Sequence, residues 1–390
     1  MNLQTIISKL NLDKSALKFI GTAAMLVAML LVFDAITNGM FVSQRNITML
    51  FRQAAVLMII SSGLMMLLIE RNFDLSAGAG VYLVGVIIAI LVVRQGFNPW
   101  LAAGIAITIG VLMGTIQGFF IGVIGVPAFI ATLSGQMIFR GTGYVITNAA
   151  TIGPIPREFT RLSEGFISPE MTMLVIPVIF ALYILFSFIT YKKMQRWYGG
   201  VSKLIFKIIL AAVFSAGAMY IFVGYNGIPM AVCIAAVVVV IMHFVGTKTV
   251  YGRQSYIIGG NPEAAKLAGI NTKKRIWQSY IIMGFLYGIG GTVLIARLGN
   301  STPTAGVLLE LDAVAAAVIG GVSMAGGVGT MFGTVIGVLI LASIDNVMSL
   351  MNVSSHLQMV IKGIILISAV SLDIYINRSK FKFRLLKSKE

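Results

Sequence analysis

Seven polar side chains stand in otherwise apolar stretches, and their types limit the chemistry open to the chain. Gln117, Asp345 and Asn346 lie on segments expected to face the interior of a helix bundle. Amides and a carboxylate are partners for the hydroxyl groups of a polar solute, and equally the groups that make hydrogen bonds between helices. Asp74, just before Leu75-Ser76-Ala77-Gly78, and Asp312 occupy helix-start positions. A carboxylate there caps the helix and answers its dipole, or else contacts a solute. Arg140 and Lys362 are expected to snorkel or to pair internally. Patterns for catalysis or metal binding are missing: His243 and His356 are isolated, and the sole cysteine, Cys233, sits in an apolar run as a small packing residue. There is no G-x-x-x-x-G-K-[ST] phosphate loop, no Ser-His-Asp set and no paired carboxylates, so no cofactor and no enzymatic activity are expected of this chain alone.

The elements that must position these groups are membrane helices. The 390 residues are 58% hydrophobic and 11% charged, with a mean hydropathy of +0.96, against about 25% charged in soluble domains. About twelve membrane segments are predicted, near 18–36, 54–70, 76–93, 99–119, 128–147, 171–190, 205–223, 229–246, 277–297, 312–323, 331–349 and 356–376. They form one all-α polytopic membrane domain over 1–390, and the first segment is expected to remain as an uncleaved anchor. The net charge of +16 does not indicate nucleic acid, because no basic helix is interleaved with aromatics. Of the 29 Lys and Arg, 21 fall on the side of the N-terminus, six on the other (Arg45, Arg52, Arg94, Arg157, Arg161, Arg297), and two (Arg140, Lys362) within helices. The positive-inside rule therefore predicts a multi-pass protein of the bacterial cytoplasmic membrane with both termini cytoplasmic. Trp100 and Trp277, near segment ends, read as interfacial anchors.

A weak internal repeat is visible. Ile109-Gly110-Val111-Leu112 recurs as Ile336-Gly337-Val338-Leu339, and Phe73-Asp74-Leu75-Ser76-Ala77 has a loose counterpart in Leu311-Asp312-Ala313-Val314-Ala315. The predicted topology places Asp74 inside and Asp312 outside, as an inverted repeat requires, although such strings also arise by chance in a glycine-rich apolar chain. The segment at 312–323 is too short to span, and the glycines that follow mark it as broken or re-entrant.

The longest polar interruption, 247–277, carries the start and stop signals of a two-turn helix. Asn261 is the N-cap, Pro262 stands at N1, Glu263 lies in the first turn, and Ala264, Ala265, Lys266, Leu267 and Ala268 lead to Gly269 just past the end. A helix this short is not stable alone in water. Either it is an ordinary capped loop held by the membrane domain, or a soluble partner holds it.

These residues resemble a known family. The run Tyr251-Gly252-Arg253, then Tyr256-Ile257-Ile258-Gly259-Gly260-Asn261-Pro262-Glu263-Ala264-Ala265, then Leu267-Ala268-Gly269-Ile270-Asn271 is similar to the coupling-helix loop of permeases in ribose, galactose, arabinose and xylose ABC importers. Phe73-Asp74-Leu75-Ser76, Val126-Pro127-Ala128-Phe129, Arg140-Gly141, Glu310-Leu311-Asp312-Ala313 and Ala325-Gly326-Gly327-Val328-Gly329 match in the family's order, over most of residues 45 to 376. The resemblance implies a type II ABC importer permease-like fold, a homodimer, an ATPase subunit with a groove for Pro262 to Ala268, and an extracytoplasmic sugar-binding protein. An extra helix pair at 171–223, joined by a basic cytoplasmic loop, is similar to the xylose or multiple-sugar branch. Two other classes remain open at this point. An ion-coupled secondary transporter accommodates inverted repeats and broken helices equally well, and a membrane scaffold explains the hydrophobicity but not the capped helix.

Overall fold

A computed structural model describes residues 27–193 and 201–387. The helices are α1 (Val27–Ile36), α2 (Gln44–Ile69), α3 (Ala77–Arg94), α4 (Pro99–Ile124), α5 (Ala128–Thr147), α6 (Arg157–Glu164), α7 (Pro169–Lys193) and α8 (Val201–Val223). They continue as α9 (Met230–Lys248), α10 (Val250–Gly260), α11 (Pro262–Leu267), α12 (Thr272–Leu298), α13 (Leu309–Ile319), α14 (Met331–Leu350) and α15 (Ser355–Lys387). Two short strands, β1 (Phe166–Ile167) and β2 (Ile228–Pro229), pair antiparallel.

Among the described residues eight helices, α2, α3, α4, α7, α8, α9, α12 and α14, are long and apolar enough to cross a membrane. The expected twelve segments all have helical counterparts, but length and apolarity together support eight. Residues 18–26 of the first segment and 194–200 of the basic loop lie outside the described residues. The interruption at 247–277 is more ordered than expected. It contains α10 as well as the two-turn helix, and α12 begins at Thr272 rather than near 277.

The core forms around α2, which from Ala54 to Ile69 carries no charged side chain and is buried throughout. A helix without a polar face is stable only when surrounded, and α9, α12, α13 and α14 surround it. Helices α4 and α12 approach closely along a shared seam. Gly110 and Gly114 face Gly284 and Gly288, and a Cβ built on Gly114 would lie 2.8 Å from the Gly284 backbone. Small residues four apart let two membrane helices touch backbone to backbone. Trp277 lies on this seam, where its indole N–H donates to the Thr115 carbonyl at 3.0 Å. By contrast α7 and α8 pack mainly on each other and present Leu174, Phe186, Phe214 and Tyr220 outward.

The starts of α3 and α13 meet inside the bundle. A Cβ on Gly78 would collide with the Gly306 carbonyl and with Glu310. From that crossing α13, about 16 Å long at 1.5 Å per residue, leads to the loop at Gly326–Gly329 beside the end of α2, whereas α3 leads away from it. Helices that begin at matching Asp motifs and run in opposite directions are what an inverted repeat contains.

Candidate functional site

The two-turn helix is built as its residue types dictate. Asn261 Oδ1 accepts from the N–H groups of Glu263 and Ala264, each at 3.1 Å, and Pro262 fills N1, where no amide is needed. At the other end the N–H of Ile270 donates to the Ala265 carbonyl at 3.0 Å and that of Gly269 to Lys266 at 2.9 Å, a Schellman closure with Gly269 left-handed at φ +77°. Lys266 and Glu263 approach to 3.4 Å on the open face, a pair that adds little in water. Ala265 is fully buried against the domain, whereas Leu267 is 90% exposed.

The mounting of this helix is the part that sequence reasoning missed. Arg71, itself left-handed at φ +64°, donates to the carbonyls of Gly259 (2.7 Å) and Gly260 (3.0 Å). The Gly327 N–H donates to the Ile69 carbonyl at 2.8 Å, and the Tyr256 hydroxyl to the Gly329 carbonyl at 2.8 Å. The end of α2, the helix α10 that carries Asn261, and the glycine loop between α13 and α14 are thus one hydrogen-bonded unit. The only signal in the sequence was the charged pair Glu70-Arg71 closing a long apolar run.

Strain at the helix end has a measurable consequence. Gly269→Val puts a β-branched residue at positive φ, a cost of roughly 1–2 kcal/mol, and the local closure should open about tenfold more often. Trypsin cleavage between Lys266 and Lys274 is expected to accelerate by that factor, while Gly269→Asn stays near the parent rate. Equal rates for Val and Asn would show that the Schellman closure does not hold the segment.

The interior polar residues fall into separate groups. Asp74 is not the N-cap of α3, which is Ser76; its Oδ1 accepts from the Ser76 N–H (2.9 Å) and hydroxyl (2.7 Å), and the Tyr287 hydroxyl donates to Oδ2. Gln117 joins this network by donating to Ser76 Oγ at 2.9 Å. Asn346 forms a reciprocal amide pair with Asn46, at 2.7 and 3.0 Å. Gln117, Asp345 and Asn346 therefore belong to three different sets of contacts. Gln117 and Asn346 spend their hydrogen bonds on neighbouring helices, in separate networks. Asp345 behaves differently: its Oδ2 and Asp312 Oδ2 share the Lys362 ammonium, at 2.8 and 2.9 Å. Lys362 thus pairs internally, whereas Arg140 donates to the carbonyls of Pro303 (3.0 Å) and Ala305 (3.3 Å). A cavity of about 240 Å³ opens beside Asp312 and Asp345, between α2, α12, α13 and α14.

A bundle with broken helices, an outward-held capped helix and a charged interior cavity has the parts of a transport channel, and comparison with known proteins assigns it. Residues 46–370 match the family model described as the permease component of the branched-chain amino acid transport system. The chain belongs to this permease family. It is 39% identical to the xylose transport system permease protein XylH of Haemophilus influenzae over 355 residues, covering 90% of this chain and 95% of that protein. It is 35% identical to XylH of Escherichia coli K12 over 358 residues, 90% of each. The D-allose transport system permease protein AlsC of the same organism is 31% identical, over 92% of each chain. No solved structure matches the chain at a significant level. The permease is accordingly a non-catalytic, multi-pass component of an ABC transport system in the inner membrane.

Proposed function

We propose that this permease carries xylose, or a closely related monosaccharide, inward across the cytoplasmic membrane as the membrane subunit of an ABC importer. The similarity that runs nearly end to end with xylose permeases, and is stronger than with the allose and ribose proteins, carries the reading. The extra pair α7–α8 supports the same branch. Its partners are an ATPase that receives Asn261 to Gly269 as the coupling element, an extracytoplasmic sugar-binding protein, and a second copy of the chain. The exposed Leu267 and the clamp of Arg71 on α10 support the coupling role. An ion-driven cycle is not favoured, since the position between Asp312 and Asp345 where a cation would lie is filled by the Lys362 ammonium.

In cells expressing the complete system, D-xylose uptake is expected to persist when the proton gradient is collapsed with ATP maintained, and to stop when ATP is depleted. Uptake by the permease alone in ATP-free liposomes, following an imposed ion gradient, would overturn the reading. Orientation is tested separately. Reporter fusions after Lys248 and Lys387 should report cytoplasm, and those after Glu164 and Gly299 the outside. A cytoplasmic signal at Glu164 would reverse the membrane orientation and remove α11 from any ATPase.

A further inference from the structure

We infer that the cavity between α2, α12, α13 and α14 is a binding site for a neutral, polyhydroxylated solute, with Gln53, Arg297, Asp312 and Asp345 as its hydrogen-bonding groups; the sugar identity assumed below rests on the functional reading above. The volume, about 240 Å³, is far beyond the roughly 10–15 Å³ a single water requires, and it suits a small solute. Polar groups converge on it between apolar walls that include Leu57 and Leu294. That combination matches a sugar, whose ring carries hydroxyls at its edge and C–H groups on its faces.

Charge balance decides the ligand class. Arg297 and Lys362 offset Asp312 and Asp345, so a cationic or anionic guest would leave an uncompensated charge in a site of low polarity. A neutral polyol does not. Its hydroxyls donate to the carboxylates and accept from the guanidinium and the Gln53 amide. Two observations show room for such bonds. Asp345 Oδ1 is buried without a hydrogen-bond partner, an arrangement that is costly unless a donor arrives. The side chains of Asp312, Asp345 and Lys362 keep 19%, 32% and 23% of their surface, and ionised groups exposed within membrane helices face water-filled space. The position also fits entry. The cavity lies near the Asn46–Asn346 pair and the Arg52–Glu164 bridge, at the end of the bundle opposite α11.

The test uses the single cysteine. In a Cys233→Ser background of the full chain, Val307→Cys places a thiol on the cavity wall, with Leu309→Cys as the alternative if the first is not inserted. A membrane-impermeant methanethiosulfonate reagent is added to intact cells with and without D-xylose. The expected result is labelling from outside that D-xylose slows at least fivefold, with the protection lost in Gln53→Ala. Absence of labelling, or labelling indifferent to D-xylose, would overturn the site. Uptake of D-xylose by the parent chain is measured alongside. If uptake is normal and protection absent, only the cavity assignment falls; if no pentose or hexose is taken up, the functional reading falls, while protection by D-xylose still decides the cavity.

Discussion

Gly259→Ala is expected to inactivate the permease, whereas Gly260→Ala, one residue on, is expected to be silent. A Cβ at Gly259 would lie inside the contact shell of the Ile69 carbonyl and 2.6 Å from the Gly327 nitrogen, the two atoms whose hydrogen bond joins α2 to the α13–α14 loop. Both neighbours are backbone groups, so the new methyl cannot be absorbed by a rotamer change. Overpacking of this kind costs typically 1–3 kcal/mol, and the movement needed would pull α10 from Arg71 and tilt α11. At Gly260 a Cβ meets nothing within 4 Å. Co-purification of the ATPase and D-xylose uptake should each fall at least about tenfold in Gly259→Ala, with the chain still inserted in the membrane. Indistinguishable behaviour of the two variants would mean that the clamp at the end of α2 does not govern coupling.

Stability should also fall as pH rises through neutrality, and Glu70 should be responsible. Glu70, 3% exposed, is the C-cap residue of α2. Its Oε1 accepts from the Ser279 hydroxyl at 2.8 Å, while Oε2 is buried without a partner. From α12 it faces Ser279 and Arg275, and from α10 Ser255 and Tyr251, whose hydroxyl shares Ser279 Oγ at 2.6 Å. Burial outweighs these favourable neighbours and pushes the Glu70 pKa up from 4.5 to about 7. The folded state therefore binds the proton more tightly than the unfolded one. Its contribution is fully present below about pH 4.5 and is lost as pH rises through 7, by about 3 kcal/mol at 1.36 kcal/mol per unit. Glu70→Gln removes this dependence. Thermal unfolding in detergent between pH 5 and pH 8 should show the parent losing stability relative to the variant, with the variant the more stable at pH 8. Parallel pH curves for the two proteins would refute it.

Glu70 and Gly259 also illustrate what a sequence withholds. Both look ordinary in isolation, a charge ending an apolar run and one of many glycines. Their importance arises because residues about 190 positions apart share a few cubic ångströms. Helix α10 escaped notice for a related reason. Its Tyr251, Tyr256 and Ile258 are distributed among Gly, Arg and Gln, and its stability comes from packing against α2 and α12 rather than from an apolar run of its own.

The amino-acid sequence by itself determined what depends on neighbours three or four residues away and on the solvent. It was enough for the all-helical membrane character, the approximate placing of most segments though not the start of α2, which lies at Gln44 rather than near 54, the shortness of the segment expected at 312–323, and α11 with both its caps. Asn261 reaches only to Ala264, and Gly269 needs only its own φ, so those signals survive without knowledge of the fold. Tertiary structure alone decided which polar groups meet. Asp312, Asp345 and Lys362 come from three helices, and Gln117 is drawn into the Asp74 network while Asn346 pairs with Asn46. Hydrogen bonds and ion pairs fall off within a few ångströms, and the separations that satisfy them are set by helix packing, which the small residues on facing helices fix only once both are in place.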